Sequence, residues 1–179
     1  MKGIIFTEFM QLVEEKFGLE VLDAMLDRAG DEGIYTSVGS YGHGDLVKLI
    51  VALSDITGVS ATDLQQVFGE SVFVHLYNTI PNKAELKGCN SAFQFVRHVE
   101  EYIHVEVKKL YPDAKPPAFE FISENETEMV FDYRSVRCMS HVCFGLIKGC
   151  ARHFNEQIEI EMINTQADGQ LVRFALTKS

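Results

Sequence analysis

The hydrophobic period of this chain first changes at the proline-bearing run Tyr111-Pro-Asp-Ala-Lys-Pro-Pro117. Before that run, apolar residues recur at helical spacing; after it, most alternate with a period of two. Residues 4–17 place Ile5, Phe9, Leu12 and Val13 near one face. Residues 19–29 do the same with Val21, Leu22, Met25 and Leu26, and Gly30 is a suitable C-terminal stop. Residues 45–57 carry Leu46, Leu49, Ile50 and Leu53 on one side, and Ser60 has the chemistry of an N-cap for 61–68. Residues 89–110 read as one long helical stretch, whereas 71–80 are apolar and aromatic without a clear period. Beyond the prolines, 119–122 and 129–136 read as strands and 139–154 as a helix. Residues 158–164 and 171–177 alternate around Ala167-Asp168-Gly169, a hairpin signal. The expected fold class is α+β: a helical N-terminal part packed on a C-terminal antiparallel sheet with an inserted helix. The length suits one domain over 1–179, large enough to hold a cavity as well as a core.

Charge narrows the function classes. A formal net charge of −10 makes general nucleic-acid binding a poor fit, because phosphate contacts need clustered Lys and Arg. No apolar run approaches the roughly 20 residues of a membrane span. Glu8, Glu14 and Glu15 interrupt the N-terminus too early for a signal peptide. A cytoplasmic protein is expected, and the four cysteines then read as thiols or metal ligands rather than disulfide partners. The glycine-rich segment 39–44 matches no nucleotide-binding fingerprint and reads as a flexible connection.

Chemistry concentrates in Tyr133, Ser135 and Arg137. They alternate in a segment that reads as a strand, so a phenol, a hydroxyl and a guanidinium would share one face. Such a row suits carboxylate or phosphate groups. About thirty residues upstream, His104 stands beside the apolar stripe of Val96, Val99, Ile103, Val107 and Leu110, about 100° from Ile103 on a helical wheel. Taken alone, His104 fits a half-exposed boundary histidine, and the polar row fits a solvent-facing strand. Together they offer what a haem requires: one axial nitrogen for iron and a set of donors for two propionates.

The motif Tyr133-Arg-Ser135-Val-Arg137 resembles that of the haem nitric oxide/oxygen binding (H-NOX) family, related to the haem domain of soluble guanylate cyclase. The opening Met1-Lys-Gly-Ile-Ile5, His104 and the run 111–117 extend the likeness over essentially the whole chain. The resemblance implies haem b with His104 as proximal ligand and Tyr133, Ser135 and Arg137 on the propionates. It also implies Pro117 against the porphyrin face and Ile5 on the distal side. Oxygen-binding relatives carry a distal tyrosine with polar supporters; the matching positions here are Val142, with Phe9 and Val74 as the counterparts of the supporters. An apolar pocket favours nitric oxide, and carbon monoxide as a second ligand, over oxygen; Tyr77 and His141 are the side chains that could supply a donor from elsewhere. The resemblance implies a sensor rather than an enzyme. Nitric oxide would weaken the iron–His104 bond and so signal to a separate histidine kinase or a cyclic-di-GMP enzyme (diguanylate cyclase or phosphodiesterase). A peroxidase would need a distal acid–base group that this lining lacks.

Cys138, His141, Cys143 and Cys150 suit a structural zinc by donor type, or a thiol-based redox sensor as the alternative function. Against zinc, a regular helix separates Cys143 from Cys150 by about 10.5 Å along its axis unless Gly145 and Gly149 break it. Cys89 reads as an isolated buried thiol.

Overall fold

A computed structural model describes residues 1–80, 83–166 and 169–179. Four helices come first: α1 (Gly3–Phe17), α2 (Leu19–Ala29), α3 (His43–Thr57) and α4 (Ala61–Thr79). The backbone enters the left-handed region at Gly30, φ 64°, and its N–H reaches back to close α2. Ser60 caps α4 by accepting from the Asp63 N–H at 3.1 Å. Phe6, Phe9, Leu46, Leu49, Leu53 and Phe68 form the centre of the helical core.

α4 runs through the segment that lacked a period. It buries Leu64, Phe68, Val72 and Phe73, and it packs on α1 and α3 on one side and on α7 (Ser140–His153) on another. A helix with neighbours on several faces needs apolar residues around most of its circumference, which blurs the stripe a surface helix would show. The stretch 89–110 is not one regular helix. Ser91 caps α5 (Ala92–His98), a π-helical turn follows over Val99–Ile103, and α6 (His104–Leu110) resumes the α geometry at His104.

The C-terminal part is a four-stranded antiparallel sheet, ordered β1 (Ala118–Glu124), β2 (Glu128–Arg134), β4 (Leu171–Lys178), β3 (Ile158–Asn164). α7 (Ser140–His153) is inserted between β2 and β3. Met129, Phe131 and Tyr133 of β2 and Val172, Phe174 and Leu176 of β4 point to one buried face, against Phe93 and Val96 of α5 and Cys143 and Ile147 of α7. On the opposite face Arg173 donates to Asp132 at 2.7 and 3.0 Å across the two central strands. The expected α+β architecture is therefore the observed one. Of the expected hairpin tip, Ala167 and Asp168 lie outside the described residues; Gly169 has φ 69°.

Two features position the site. First, α4 and α7 cross with their backbones in contact: a Cβ on Gly145 would stand 2.0 Å from the Gln66 carbonyl oxygen, and one on Gly69 2.2 Å from that of Val142. Second, the segment expected to be a loose connection is strapped to the N-terminus. Gly3 N–H donates to Gly39 O at 2.9 Å and Tyr41 N–H to Met1 O at 2.9 Å, while Lys2 and Ser40 form a bridge. Among the described residues no helix is long and apolar enough to cross a membrane.

Candidate functional site

Between the helical part and the sheet lies a cavity of about 810 Å³, bordered by α1, α4, α5, α6, α7 and the end of β2. Ligand pockets fall in a range of roughly 300–1,000 Å³. Its walls are mostly apolar, and two polar groupings break them.

Tyr133, Ser135 and Arg137 all border the cavity, but not for the reason of strand alternation. β2 ends at Arg134. Ser135 then sits at the start of a turn: its Oγ accepts the Arg137 N–H at 3.2 Å, its carbonyl accepts the Cys138 N–H at 3.4 Å, and Cys138 takes a positive φ of 51°. The turn brings Arg137 back to the side that Tyr133 occupies. Tyr133 is 3% exposed, and burial is the main cause that pushes its phenol well above the usual range, so it stays a neutral donor. The Met1 amino group is near; burial and then the Arg137 charge lower its pKa. Lys2 Nζ stands 3.4 Å over the Tyr111 ring, and both residues border the cavity. Asp113 and Glu106 border it too, the latter paired with Lys109 at 2.7 Å.

His104 borders the same cavity from α6, directly after the π-helical turn. π-turns inside α-helices are frequent at functional sites because they re-aim the following side chains. The His104 side chain is 12% exposed, so the half-exposed boundary reading does not hold. Its Nδ1 lies 2.8 Å from Glu100 Oε2, and the Phe119 N–H donates to that same oxygen at 3.1 Å. Burial pushes the His104 pKa down, with Glu100 pulling the other way. A neutral ring whose Nδ1–H is given to a carboxylate keeps the Nε2 lone pair available for a metal. The Phe119 ring packs edge-on against His104 at 5.3 Å between centroids, and Pro116 and Pro117 border the cavity beside it.

The remaining wall is apolar. Ile5 and Val142 border the cavity with Phe68, Phe73, Leu76, Met139 and Leu146. Two expected lining residues do not. Phe9, 1% exposed, is in the helical core, edge-on to Phe68, one layer behind the wall. Val74 is 52% exposed. On α4 the cavity face carries Phe73, Leu76 and Tyr77, followed by the C-cap Ile80, and a residue next to Phe73 is rotated about 100° away from it. His141 is also elsewhere, its Nδ1 3.0 Å from Gln66 Nε2 between α4 and α7. Tyr77 borders the cavity, its ring against Phe73, Phe95 and His153.

The cysteines do not converge. Cys138 is exposed in the turn after β2, while Cys143 and Cys150 are buried on an unbroken α7. Cys143 packs in the core beneath the sheet, and Cys150 packs beside Phe73 and Phe95 with its Sγ 3.9 Å from the Ala92 carbonyl. Burial pushes both thiols far above their ordinary range. Among the described residues no three His, Cys, Asp or Glu side chains stand close enough to hold a metal ion. The expected zinc therefore has no site, because Gly145 and Gly149 serve the close crossing on α4 rather than a break in α7.

Glu100 was not legible as part of the site. The available signal was its place four residues before His104, but Glu100-Glu101 reads as a solvated charge pair until β1 supplies the Phe119 N–H. Leu76 was missed for want of the rotation of α4.

The α+β fold thus encloses a buried imidazole and a hydroxyl–guanidinium grouping in one apolar cavity, an arrangement able to hold a prosthetic group with acidic substituents. The Haem-NO-binding family profile matches residues 2–162. The crystal structure of Fe(II) unliganded H-NOX protein from K. algicida is 36% identical, with a TM-score of 0.92, and the match covers all of this chain and 97% of that one. The solution structure of the IWP-051-bound H-NOX from Shewanella woodyi in the Fe(II)CO ligation state is 37% identical, with a TM-score of 0.82, over all of this chain and 95% of that one. Soluble guanylate cyclase gcy-31 of Caenorhabditis elegans is 26% identical over 172 residues, 94% of this chain but 24% of that protein. The chain thus spans about a quarter of the length of that relative. It belongs to the Haem-NO-binding (H-NOX) family of haem-based gas sensors.

Proposed function

We propose that this chain is a single non-catalytic sensor domain over 1–179 that binds haem b and responds to nitric oxide in preference to oxygen. The observation that carries the reading is the cavity itself: His104, with Nδ1 already engaged by Glu100, borders the same apolar space as Tyr133, Ser135 and Arg137. The residues present fit the group. His104 Nε2 would hold the iron, Arg137 with Tyr133 and Ser135 would hold the propionates, and Pro117 would lie against the porphyrin. Bound haem supplies a ferrous iron that takes nitric oxide or carbon monoxide.

Selectivity comes from the distal wall. Ile5, Leu76 and Val142 present no hydrogen-bond donor. A partly negative bound oxygen needs such a donor, whereas nitric oxide binds ferrous iron without one. With haem bound, His104 would tie α6 and, through Glu100, β1 to the group; loosening of that tie would let the helical part shift against the sheet, a two-state element biased by the ligand. The signal passes to a partner, a histidine kinase or a cyclic-di-GMP enzyme. Four unbridged cysteines suit the cytoplasm.

The test is spectroscopic. The anaerobically reduced protein should bind nitric oxide and carbon monoxide yet form no stable complex in air. A stable oxygen complex would refute the selectivity argument and point to Tyr77.

A further inference from the structure

We propose that Glu100 is a positioning residue that sets the strength of the bond His104 makes to iron; the inference rests on the haem reading above. Glu100 Oε2 takes two N–H donors at once, His104 Nδ1 at 2.8 Å and the Phe119 backbone at 3.1 Å. The first contact fixes the tautomer and the rotation of the ring. The second anchors the carboxylate to β1, nineteen residues on and in another element. Glu100 therefore cannot follow His104 freely when the ring moves, and the imidazole is held between the cavity and a fixed acceptor.

The charge of this acceptor matters as much as its position. Arg97, three residues before Glu100, is engaged by Glu101 at 3.2 Å and by Glu124, while on α6 the Lys108 charge also acts on His104. The Glu100 side chain is 25% exposed and His104 12%, so the pair is only weakly screened by water. A carboxylate accepting the Nδ1–H draws that proton toward itself and raises the electron density at Nε2. More density at Nε2 means a stiffer bond to ferrous iron and a ferric state favoured over the ferrous one. Glu100 thus opposes the release of His104 on which signalling depends, and its carboxylate sets the threshold a ligand has to overcome. Glu100 lies within the π-helical turn over Val99–Ile103, directly before His104, and its carboxylate reaches both the ring and the backbone of β1.

Glu100→Gln separates this role from a merely structural one. The amide keeps the size and an acceptor oxygen for both N–H groups but loses the charge. In the full chain loaded with haem, the iron–histidine stretching frequency of the ferrous state should fall in Glu100→Gln. The ferric/ferrous equilibrium should move toward ferrous about tenfold, which is about 59 mV for one electron. Unchanged stretch and potential in haem-loaded Glu100→Gln would overturn the proposal. A second measurement does not depend on that variant. In His104→Gly the cavity should accept imidazole, which can donate to Glu100, or 1-methylimidazole, which cannot. Imidazole should give the lower potential; equal potentials would overturn the proposal. Failure of the native protein to take up haem would be a different result and would refute the haem reading, and the proposal with it.

Discussion

Gly145→Ala tests the closeness of the α4–α7 crossing. The added methyl would stand 2.0 Å from the Gln66 carbonyl oxygen, 2.7 Å from the Glu70 nitrogen and 2.9 Å from the Gln66 carbonyl carbon. All three obstacles are backbone atoms, so no side chain can rotate aside and the two helices must part by more than an ångström. Overpacking of this kind costs about 1–3 kcal/mol, and a rigid obstacle places it near the upper end. Alanine returns about 0.5–1 kcal/mol through helix propensity. The net loss is about 2 kcal/mol, which in a domain of this size lowers Tm by about 4–8 °C. Thermal unfolding followed by far-ultraviolet circular dichroism measures it, at matched haem loading because a bound ligand raises apparent stability. Gly44→Ala is the control: it lies in the first turn of α3 with no atom within 4 Å of its added Cβ, and it should leave Tm unchanged or raise it slightly. A Tm for Gly145→Ala at or above that of the native chain would refute the close crossing.

Other perturbations probe different layers. The Arg173 guanidinium holds the Asp132 carboxyl below its ordinary value of 3.8. A depressed pKa contributes stability that is present above 3.8 and lost as pH falls through the folded value. Asp132→Asn should therefore lower Tm only slightly near neutrality, given the exposure of Arg173, and the gap from the native chain should narrow as pH falls below 3.8; a gap that does not narrow in acid would refute the assignment. Thiol labelling of the folded protein should modify Cys138 first, and Cys143 and Cys150 only as the protein unfolds, because burial keeps both as thiols; equal rates would show that α7 is not packed as described. Val142→Tyr places a phenol in the apolar wall and should raise oxygen binding above that of the native chain, read by absorption in air; no gain of oxygen binding would show that Val142 does not face the iron.

Legibility in the sequence followed the number of neighbours each element has. β3 emerged with its ends at Ile158 and Asn164 because one strand face is wetter than the other, and α1 to α3 because each buries one stripe. The second half of α4 did not, since a helix with neighbours on several sides has no polar face to set a period. Val74 entered through the family likeness rather than a local pattern, and the rotation of α4 turns it outward while Phe73 borders the cavity. Tyr133, Ser135 and Arg137 were grouped for a reason that fails at Arg134, where the strand ends; a turn with Cys138 at positive φ joins them instead. The four zinc-type donors are close in sequence but not in space, because α7 carries Cys143 and Cys150 to different core clusters. Glu100 becomes visible only when β1 is folded against the helix.

The most direct measurement of the central claim is the absorption spectrum and iron content of the anaerobically reduced native protein beside His104→Gly. The account predicts a five-coordinate ferrous haem in the native chain. In His104→Gly it predicts a haem that is lost or altered, and restored to the native spectrum by added imidazole. A native protein that retains no haem, or a His104→Gly spectrum identical to the native one without imidazole, would contradict it.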